Sequence, residues 1–218
     1  MPPGRVPSSK SATSPGTGAS LGPALEGLAA SVALDIAHRG GRVELVGSIG
    51  DDAAGDEVVV ELGRAGIGHA ALLRDPGGTT PVAGRLTSQL PRLDAADVEL
   101  GLRYVADYHV LVLTEPLPPE AETAAIEAAA YHDAALLAIV PEGGKISSAL
   151  SAAATVLGAP TTEGDAEDSD NEASTTRPSQ AFASFVAAFA VAIDAGSSVA
   201  EAFAEGVKST GWEQASGA

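Results

Sequence analysis

Three short apolar runs, separated by segments with helical periodicity, constrain the fold of this chain more than any other feature. The runs are 42–49 (RVELVGSI), 108–114 (YHVLVLT) and 134–140 (AALLAIV). A strand that is apolar on both sides is buried on both faces, which is typical of a parallel sheet covered by helices. The sequence therefore predicts an α/β fold, a three-layer αβα sandwich with a mainly parallel sheet.

Capping signals and apolar spacing place helices between these strands. Leu28, Val32 and Ile36 recur one turn apart, which predicts a helix over 27–39. Asp51 or Asp52 can cap a second helix and Asp94 a third. The remaining predicted elements are helices over 118–131, 145–153, 180–195 and 199–208 and a short strand over 155–158.

The chain is expected to form one domain, with a polar head before it and a polar loop within it. With 218 residues and 45% hydrophobic content, the chain can build a single α/β domain, expected over 21–218. The Pro/Ser-rich head, 1–20, and the acidic loop, 163–176, are expected to be poorly ordered. Turn residues at 75–78 between two apolar runs predict a hairpin over about 69–90.

Composition excludes several classes of function. Acidic residues outnumber basic ones 29 to 12, for a net charge of −17, which disfavours binding to nucleic acid or anionic membranes. There is no cysteine, and no apolar run reaches the ~18 residues of a membrane span. We expect a cytoplasmic protein. A salt-rich cytoplasm and a GC-rich genome both account for the few lysines.

One motif carries a family resemblance. The segment 46–52 reads Val-Gly-Ser-Ile-Gly-Asp-Asp and is followed by Gly55. Together with the helix before it and the Gly66-Ile67 after it, this motif resembles the first signature of the ribokinase-like (PfkB) carbohydrate kinases. The resemblance implies a ribokinase-like fold with a small lid hairpin at 69–90, and a homodimer formed through that lid. In such enzymes ATP and Mg²⁺ serve to phosphorylate a sugar or nucleoside.

The residues that would perform this chemistry are altered. In the family, an Asp-Thr-x-Gly-Ala-Gly-Asp motif provides backbone N–H groups for the phosphate and, in its last Asp, the general base. Aligned on Phe182, this chain has Arg177, Pro178 and Ser179 at the anion-hole positions and Gln180 in place of the base. An amide cannot act as a general base, and proline provides no N–H donor.

The substrate side is altered as well. The helix-opening glycine pair falls at 26–27, so that Gly27 is retained, and the sugar-binding Asn position holds Ser31. The head 1–20 stands where the family has its opening strand and a substrate-binding Asp. The acidic loop stands where the family has its nucleotide-binding strands.

These changes favour a shortened, degenerate family member: a pseudo-kinase that has lost phosphoryl transfer and keeps a ligand-binding or partner-binding role, with a sugar as one candidate ligand. It would need no cofactor and no metal. One alternative is an active kinase with a rearranged or subunit-completed site, using ATP and Mg²⁺. Another is a purely structural or decaying gene product.

Other motifs are weaker. The segment 142–147 (EGGKIS) resembles a phosphate-binding loop but lacks its first glycine, so a turn and a helix start are expected there. The four histidines have no ligand spacing. The acidic loop lacks the glycine of a calcium-binding EF-hand and is interpreted as a solvated charge run.

Overall fold

The computed structural model of this protein describes residues 27–82, 87, 89–141, 143–160 and 172–211, with residues 172–179 described by their backbone alone. The described part contains seven helices and five strands. The helices are α1 (Leu28–His38), α2 (Ala53–Arg64), α3 (Ala95–Tyr104), α4 (Pro119–Tyr131), α5 (Ser148–Ala153), α6 (Glu172–Asp194) and α7 (Val199–Thr210). The strands are β1 (Glu44–Gly50), β2 (Gly68–Asp75), β3 (Val110–Leu113), β4 (Ala135–Pro141) and β5 (Thr155–Ala159).

Every described strand pair is parallel. β1 pairs with β2, and β4 lies between β3 and β5. Helices connect consecutive strands, as parallel pairing requires. The predicted α/β fold with a parallel sheet is confirmed.

The side chains of β4 show how the layers are arranged. Leu136 and Ala138 pack in one cluster with residues of α4 and α5, whereas Leu137 and Ile139 pack in another with residues of α6 and α7. Because successive side chains of a strand point to opposite faces, α4 and α5 cover one face and α6 and α7 the other. α3 packs against α4, and α1 against α6.

Short-range sequence signals explain where the helices begin. The carboxylate of Asp52 accepts a hydrogen bond from the Gly55 N–H at 2.8 Å and caps α2. Asp94 and Asp97 form a reciprocal capping box at the start of α3. In both cases the predicted cap is confirmed.

Three phenylalanines of α6 form part of the hydrophobic core. Phe182, Phe185 and Phe189 lie on the inner side of α6, each no more than 2% exposed. The ring centroids of Phe185 and Phe189 are 6.1 Å apart. This cluster packs α6 and α7 against β4 and β5.

The first arm of the expected hairpin differs from the prediction. Residues 68–75 form β2, which pairs in parallel with β1 and belongs to the sheet. A place in the sheet suits the apolar residues of β2, since Ala71 is fully buried there. Beyond it, residues 79–82, 87, 89 and 90 are not in strands, and 83–86 and 88 lie outside the described residues. A lid formed by the rest of this region stays a prediction.

The acidic loop is shorter than predicted. α6 begins at Glu172, so residues 172–176 are helical, whereas 161–171 lie outside the described residues, as does the head 1–20. Glu and Ala at 172–173 are favourable helix formers, which accounts for the earlier start. No helix in the described part combines the length and apolar character needed to cross a membrane.

Candidate functional site at the carboxyl edge of the sheet

The amino-terminal parts of α1 and α6 lie at the carboxyl edge of the strands. α1 ends at His38 and leads into β1 at Glu44, so its last turn lies at the amino end of β1 and its first turn at the opposite edge. For α6, the Asp194 carboxylate and the His109 ring nitrogen are 3.1 Å apart just before β3 begins. In open α/β sheets, the carboxyl edge is where ligands bind.

Contacts between α1 and α6 show that the two helices run in the same direction. The Ser184 hydroxyl donates a hydrogen bond to the Asp35 carboxylate. Just beyond the end of α1, a Cβ placed on Gly41 would lie 3.4 Å from Val191, which is further along α6. α1 and α6 therefore advance together from the carboxyl edge towards the amino edge.

Two of the predicted site positions lie at corresponding places on the two helices. Ser31 and Gln180 each lie four residues, or about 6 Å, before the Asp35–Ser184 hydrogen bond along their own helices, towards the carboxyl edge. Ser31 is half-buried and Gln180 is exposed. Both positions therefore lie towards the carboxyl edge of the sheet.

Gly27 begins α1 at the same edge. Its φ of 112° lies in a region that favours glycine, and a Cβ placed there would meet no atom within 4 Å. The helix has no side-chain cap at this end. Gly27 thus begins α1 at the carboxyl edge without a capping side chain.

Residues 177–179 lie inside α6 rather than at its start. Only the first four N–H groups of an α-helix lack a partner within the helix, and in α6 these belong to residues 172–175. The N–H groups of Arg177 and Ser179 are directed along the helix, and Pro178 has none. The structure therefore has no helix N-terminus at the predicted anion-hole position.

The glycine motif at the end of β1 takes part in a network of hydrogen bonds that we call the Asp52–Thr80 link. Thr80 N–H donates to Asp52 at 2.9 Å, and the Gly50 N–H donates to the buried Thr80 hydroxyl oxygen at 2.9 Å. The hydrogen bonds from Gly55 and Thr80 hold the pKa of the Asp52 carboxyl below its usual value. The link joins the ends of β1 and β2.

A second carboxylate orders the turn that follows β2. Asp75 accepts hydrogen bonds from the N–H groups of Arg92 at 3.0 Å and Gly77 at 2.8 Å, and these bonds lower the pKa of its carboxyl. Nearby, the Arg74 guanidinium lies 2.6 Å from Asp56 and 3.6 Å from Asp51. The carboxylates of Asp52, Asp56 and Asp75 thus take part in hydrogen bonds or ion pairs within the fold.

Sequence reasoning missed Thr80. It lies 28 residues from Asp52 and belongs to no motif, so no local signal identifies it. The close approach of backbone at Gly50, where a Cβ would lie 2.7 Å from Thr80 N, explains why the motif needs glycine there.

The weaker sequence motifs have structural roles or lie outside the described residues. Gly144 N–H donates to Pro141 O at 2.7 Å, and the Ser147 hydroxyl accepts from Leu150 N–H at 3.0 Å, which confirms a turn followed by a helix start. Within the described ranges, no three His, Asp or Glu side chains gather as a metal site would require. Residues 165, 168 and 170 lie outside those ranges.

Comparison with known proteins gives no match by sequence and clear matches by structure. No protein-family model and no curated protein matches the chain. Ribokinase from Arabidopsis thaliana, solved with ribose and ATP, superposes with a TM-score of 0.55 at 16% identity, covering 82% of this chain and 77% of that one. Phosphofructokinase-2 from Escherichia coli, solved with fructose-6-phosphate, gives 0.53 at 16% identity, covering 81% and 78%.

A PfkB protein from Polaromonas gives a TM-score of 0.53 at 14% identity, covering 81% of each chain. Likeness at this level of identity concerns the fold. The chain therefore has a ribokinase-like α/β fold, in agreement with the resemblance in segment 27–66.

Proposed function

We propose that this ribokinase-like chain is a pseudo-kinase: it binds a ligand at the carboxyl edge of its sheet and does not transfer phosphate. The observation that carries the proposal is Gln180, a carboxamide at the position where the resemblance places the general base. An amide does not take up a proton at ordinary pH, and a positioned base contributes ~10²–10⁴-fold to proton-transfer catalysis.

The backbone of α6 supports the same proposal. Phosphoryl transfer requires donors arranged around the transferred group, and a helix N-terminus is one way to provide them. Here Arg177, Pro178 and Ser179 lie within the helix, where backbone N–H groups are used in intrahelical hydrogen bonds. These residues would therefore offer no free backbone N–H donors to a phosphate placed beside Gln180.

The surface between α1 and α6 suits a neutral, hydroxyl-bearing ligand. The Ser31 hydroxyl can donate and accept, and the Gln180 amide provides both donors and an acceptor. Neither group carries charge, whereas the chain as a whole carries −17. A sugar without phosphate fits this chemistry better than a phosphorylated one, because the overall charge repels anions.

The alternative is an active sugar or nucleoside kinase that uses ATP and Mg²⁺ through a rearranged or subunit-completed site. Its support is that solved structures of this fold include a ribokinase with bound ribose and ATP. The alternative requires a general base other than residue 180. The two functions differ in turnover, and both allow sugar binding.

Thermal-shift measurements with ribose, fructose and adenosine, each with and without ATP and Mg²⁺, test ligand binding. A ligand at 100 times its Kd stabilises the folded protein by ~2.7 kcal/mol, which is readily detected as a raised Tm. We expect at least one sugar to raise the Tm, and Ser31→Ala and Gln180→Ala to weaken that shift. Ser151→Ala, an exposed serine on α5, is the matched control.

Absence of any shift with sugars at millimolar concentration would contradict the ligand-binding role. A shift that Ser31→Ala and Gln180→Ala leave unchanged would place the ligand elsewhere on the protein.

A further inference from the structure

A cavity of about 510 Å³ lies between the carboxyl-terminal halves of α3 and α4, and we call it the α3–α4 pocket. The two helices end shortly before β3 and β4, whose first residues, Val110 and Ala135, are paired. The pocket therefore lies at the amino edge of the sheet, opposite the candidate site at the carboxyl edge. Its volume falls within the range of about 300–1,000 Å³ that is typical of small-ligand sites.

The floor of the pocket is apolar and part of its wall is aromatic. Leu102 and Ala124 are buried and Ala128 is half-buried, and all three belong to the hydrophobic cluster beneath α3 and α4. In the wall, the Tyr131 ring contacts His132 edge-on, with ring centroids 5.1 Å apart. Tyr131 is 86% exposed, and a ring so exposed can hold a cation over its face.

Three charged side chains surround this floor. Glu99 and Glu127 contribute carboxylates and Arg103 contributes a guanidinium, and all three residues are exposed. None of the ion pairs in the described part of the chain involves any of them. Carboxylates thus outnumber the guanidinium in the pocket, and they are available to a ligand.

The end of α3 adds hydrogen-bond acceptors to the same pocket. The last four carbonyl groups of an α-helix have no partner within the helix, and in α3 these belong to residues 101–104. Val105 leaves the helical conformation at once, with φ −102° and ψ 88°, and no described backbone N–H donates to these carbonyls. They point beyond the end of the helix, where Ala106 lines the pocket.

The end of α4 differs, because the N–H groups of residues 132–134 donate back to the carbonyls of residues 128–130. Both helix ends nevertheless contribute negative potential, roughly half an elementary charge each. The last turn of α4 has no basic residue, and that of α3 has Arg103. Since the chain as a whole carries −17, the field at the pocket favours a positively charged ligand.

We propose that the α3–α4 pocket binds a small organic cation that carries N–H donors on an apolar body, such as an arylalkylamine. The carboxylates of Glu99 and Glu127 attract its ammonium group, which donates hydrogen bonds to the carbonyls at the end of α3. The apolar body packs on the floor of the pocket and against the Tyr131 ring. Arg103 opposes the cation and limits its affinity. This site is separate from the candidate site and does not depend on the proposed function.

An NMR titration of the full chain with phenethylamine tests the proposal. We expect saturable shifts of the amide resonances of residues 99–106 and 124–132 at millimolar amine, with those of α7 unchanged. Phenethyl alcohol and 3-phenylpropionate are the matched neutral and anionic controls, because they keep the ring and its two-carbon chain. Both should bind about tenfold more weakly, since neither offers a positive charge to the two carboxylates.

Variants of the lining residues test the assigned roles. Glu127→Gln removes the charge with little change of shape and should weaken phenethylamine binding about two- to fivefold, the range expected for an exposed charge pair. Tyr131→Ala should weaken binding by a similar factor. Arg103→Gln should strengthen it, because the opposing charge is removed. Glu205→Gln, an exposed position on α7, is the control and should leave binding unchanged.

The same measurements define what would overturn the proposal. Equal binding of phenethyl alcohol would show that the pocket takes an apolar body regardless of charge. Tighter binding of phenylalanine than of phenethylamine, lost in Arg103→Gln, would assign the pocket to a zwitterion. Absence of saturable shifts at millimolar amine, or binding that Glu127→Gln and Arg103→Gln both leave unchanged, would exclude a cation site between α3 and α4.

Discussion

The Thr80 backbone N–H donates a hydrogen bond to the Asp52 carboxylate at 2.9 Å, and the Thr80 hydroxyl oxygen accepts one from the Gly50 N–H at 2.9 Å. One residue thus connects the end of β1, the cap of α2 and the chain that follows β2. These hydrogen bonds stabilise the carboxyl edge of the sheet where β1 and β2 end.

Replacing Asp52 with Asn should destabilise the protein in a pH-dependent way. The hydrogen bonds to the carboxylate lower its pKa in the folded state below the unfolded value of ~3.9. The stabilisation is therefore complete above about pH 4 and is lost as the pH falls through the folded-state pKa. Urea unfolding from pH 7 to pH 3 should show Asp52→Asn less stable than wild type at pH 7, with the difference shrinking in acid.

Thr80→Val serves as the comparison in that series, because it removes the hydroxyl and keeps the backbone N–H that binds Asp52. It should lower stability by ~1–3 kcal/mol, since the Gly50 N–H loses its partner, at every pH in the range. A difference between Asp52→Asn and wild type that stays constant down to pH 3 would contradict the assigned role of the carboxylate.

Gly50→Ala should be far more costly than Gly47→Ala in the same strand. A Cβ on Gly50 would lie 2.7 Å from Thr80 N and 2.8 Å from Gly78 O, whereas one on Gly47 makes an ordinary contact of 3.5 Å with Leu72. We expect a loss of ~1–3 kcal/mol for Gly50→Ala, measured by thermal unfolding. Similar Tm values for the two variants would show that the Asp52–Thr80 link accommodates a methyl group at position 50 without loss of stability.

Phe185→Ala should destabilise the protein by ~3–5 kcal/mol, because it removes a ring that is 2% exposed from the centre of the α6–α7 cluster. Phe203→Ala is the matched control. Its ring touches Phe185 edge-on, but the residue is 36% exposed and should cost clearly less. Chemical denaturation measures both, and equal losses would argue against this description of the core.

Self-association through the region 76–90 is a further prediction, derived from the family resemblance. Leu90 is 60% exposed, which suits a residue that becomes covered in a dimer. Leu90→Asp should shift a dimer towards monomer in sedimentation equilibrium. Val60→Asp, which changes an exposed apolar residue of α2, should not. A monomeric wild type at high protein concentration would contradict the prediction.

Local signals in the sequence were sufficient to predict most elements of the fold. Leu28, Val32 and Ile36 predicted α1, and Asp52 and Asp94 predicted the starts of α2 and α3, because caps and periodicity depend on neighbours within one or two turns. The position of β2 was predicted less well. Turn residues at 75–78 indicate that the chain reverses, but they do not determine which strand β2 pairs with.

The candidate site was harder to predict, because it depends on contacts between distant segments. That Ser31 and Gln180 hold corresponding positions on α1 and α6 follows from the Asp35–Ser184 hydrogen bond across 149 residues.

ADP release coupled to a spectrophotometric signal tests most directly our proposal that this ribokinase-like chain does not transfer phosphate. Wild type and Gln180→Asp are each assayed with ATP, Mg²⁺ and a panel of ribose, fructose, fructose phosphate and nucleosides. We expect no turnover above the enzyme-free background for wild type. We also expect none for Gln180→Asp, because a carboxylate at 180 does not restore the N–H donors that α6 retains within the helix. Turnover by the wild type would contradict the pseudo-kinase proposal, and strong turnover by Gln180→Asp alone would show that only the base had been lost.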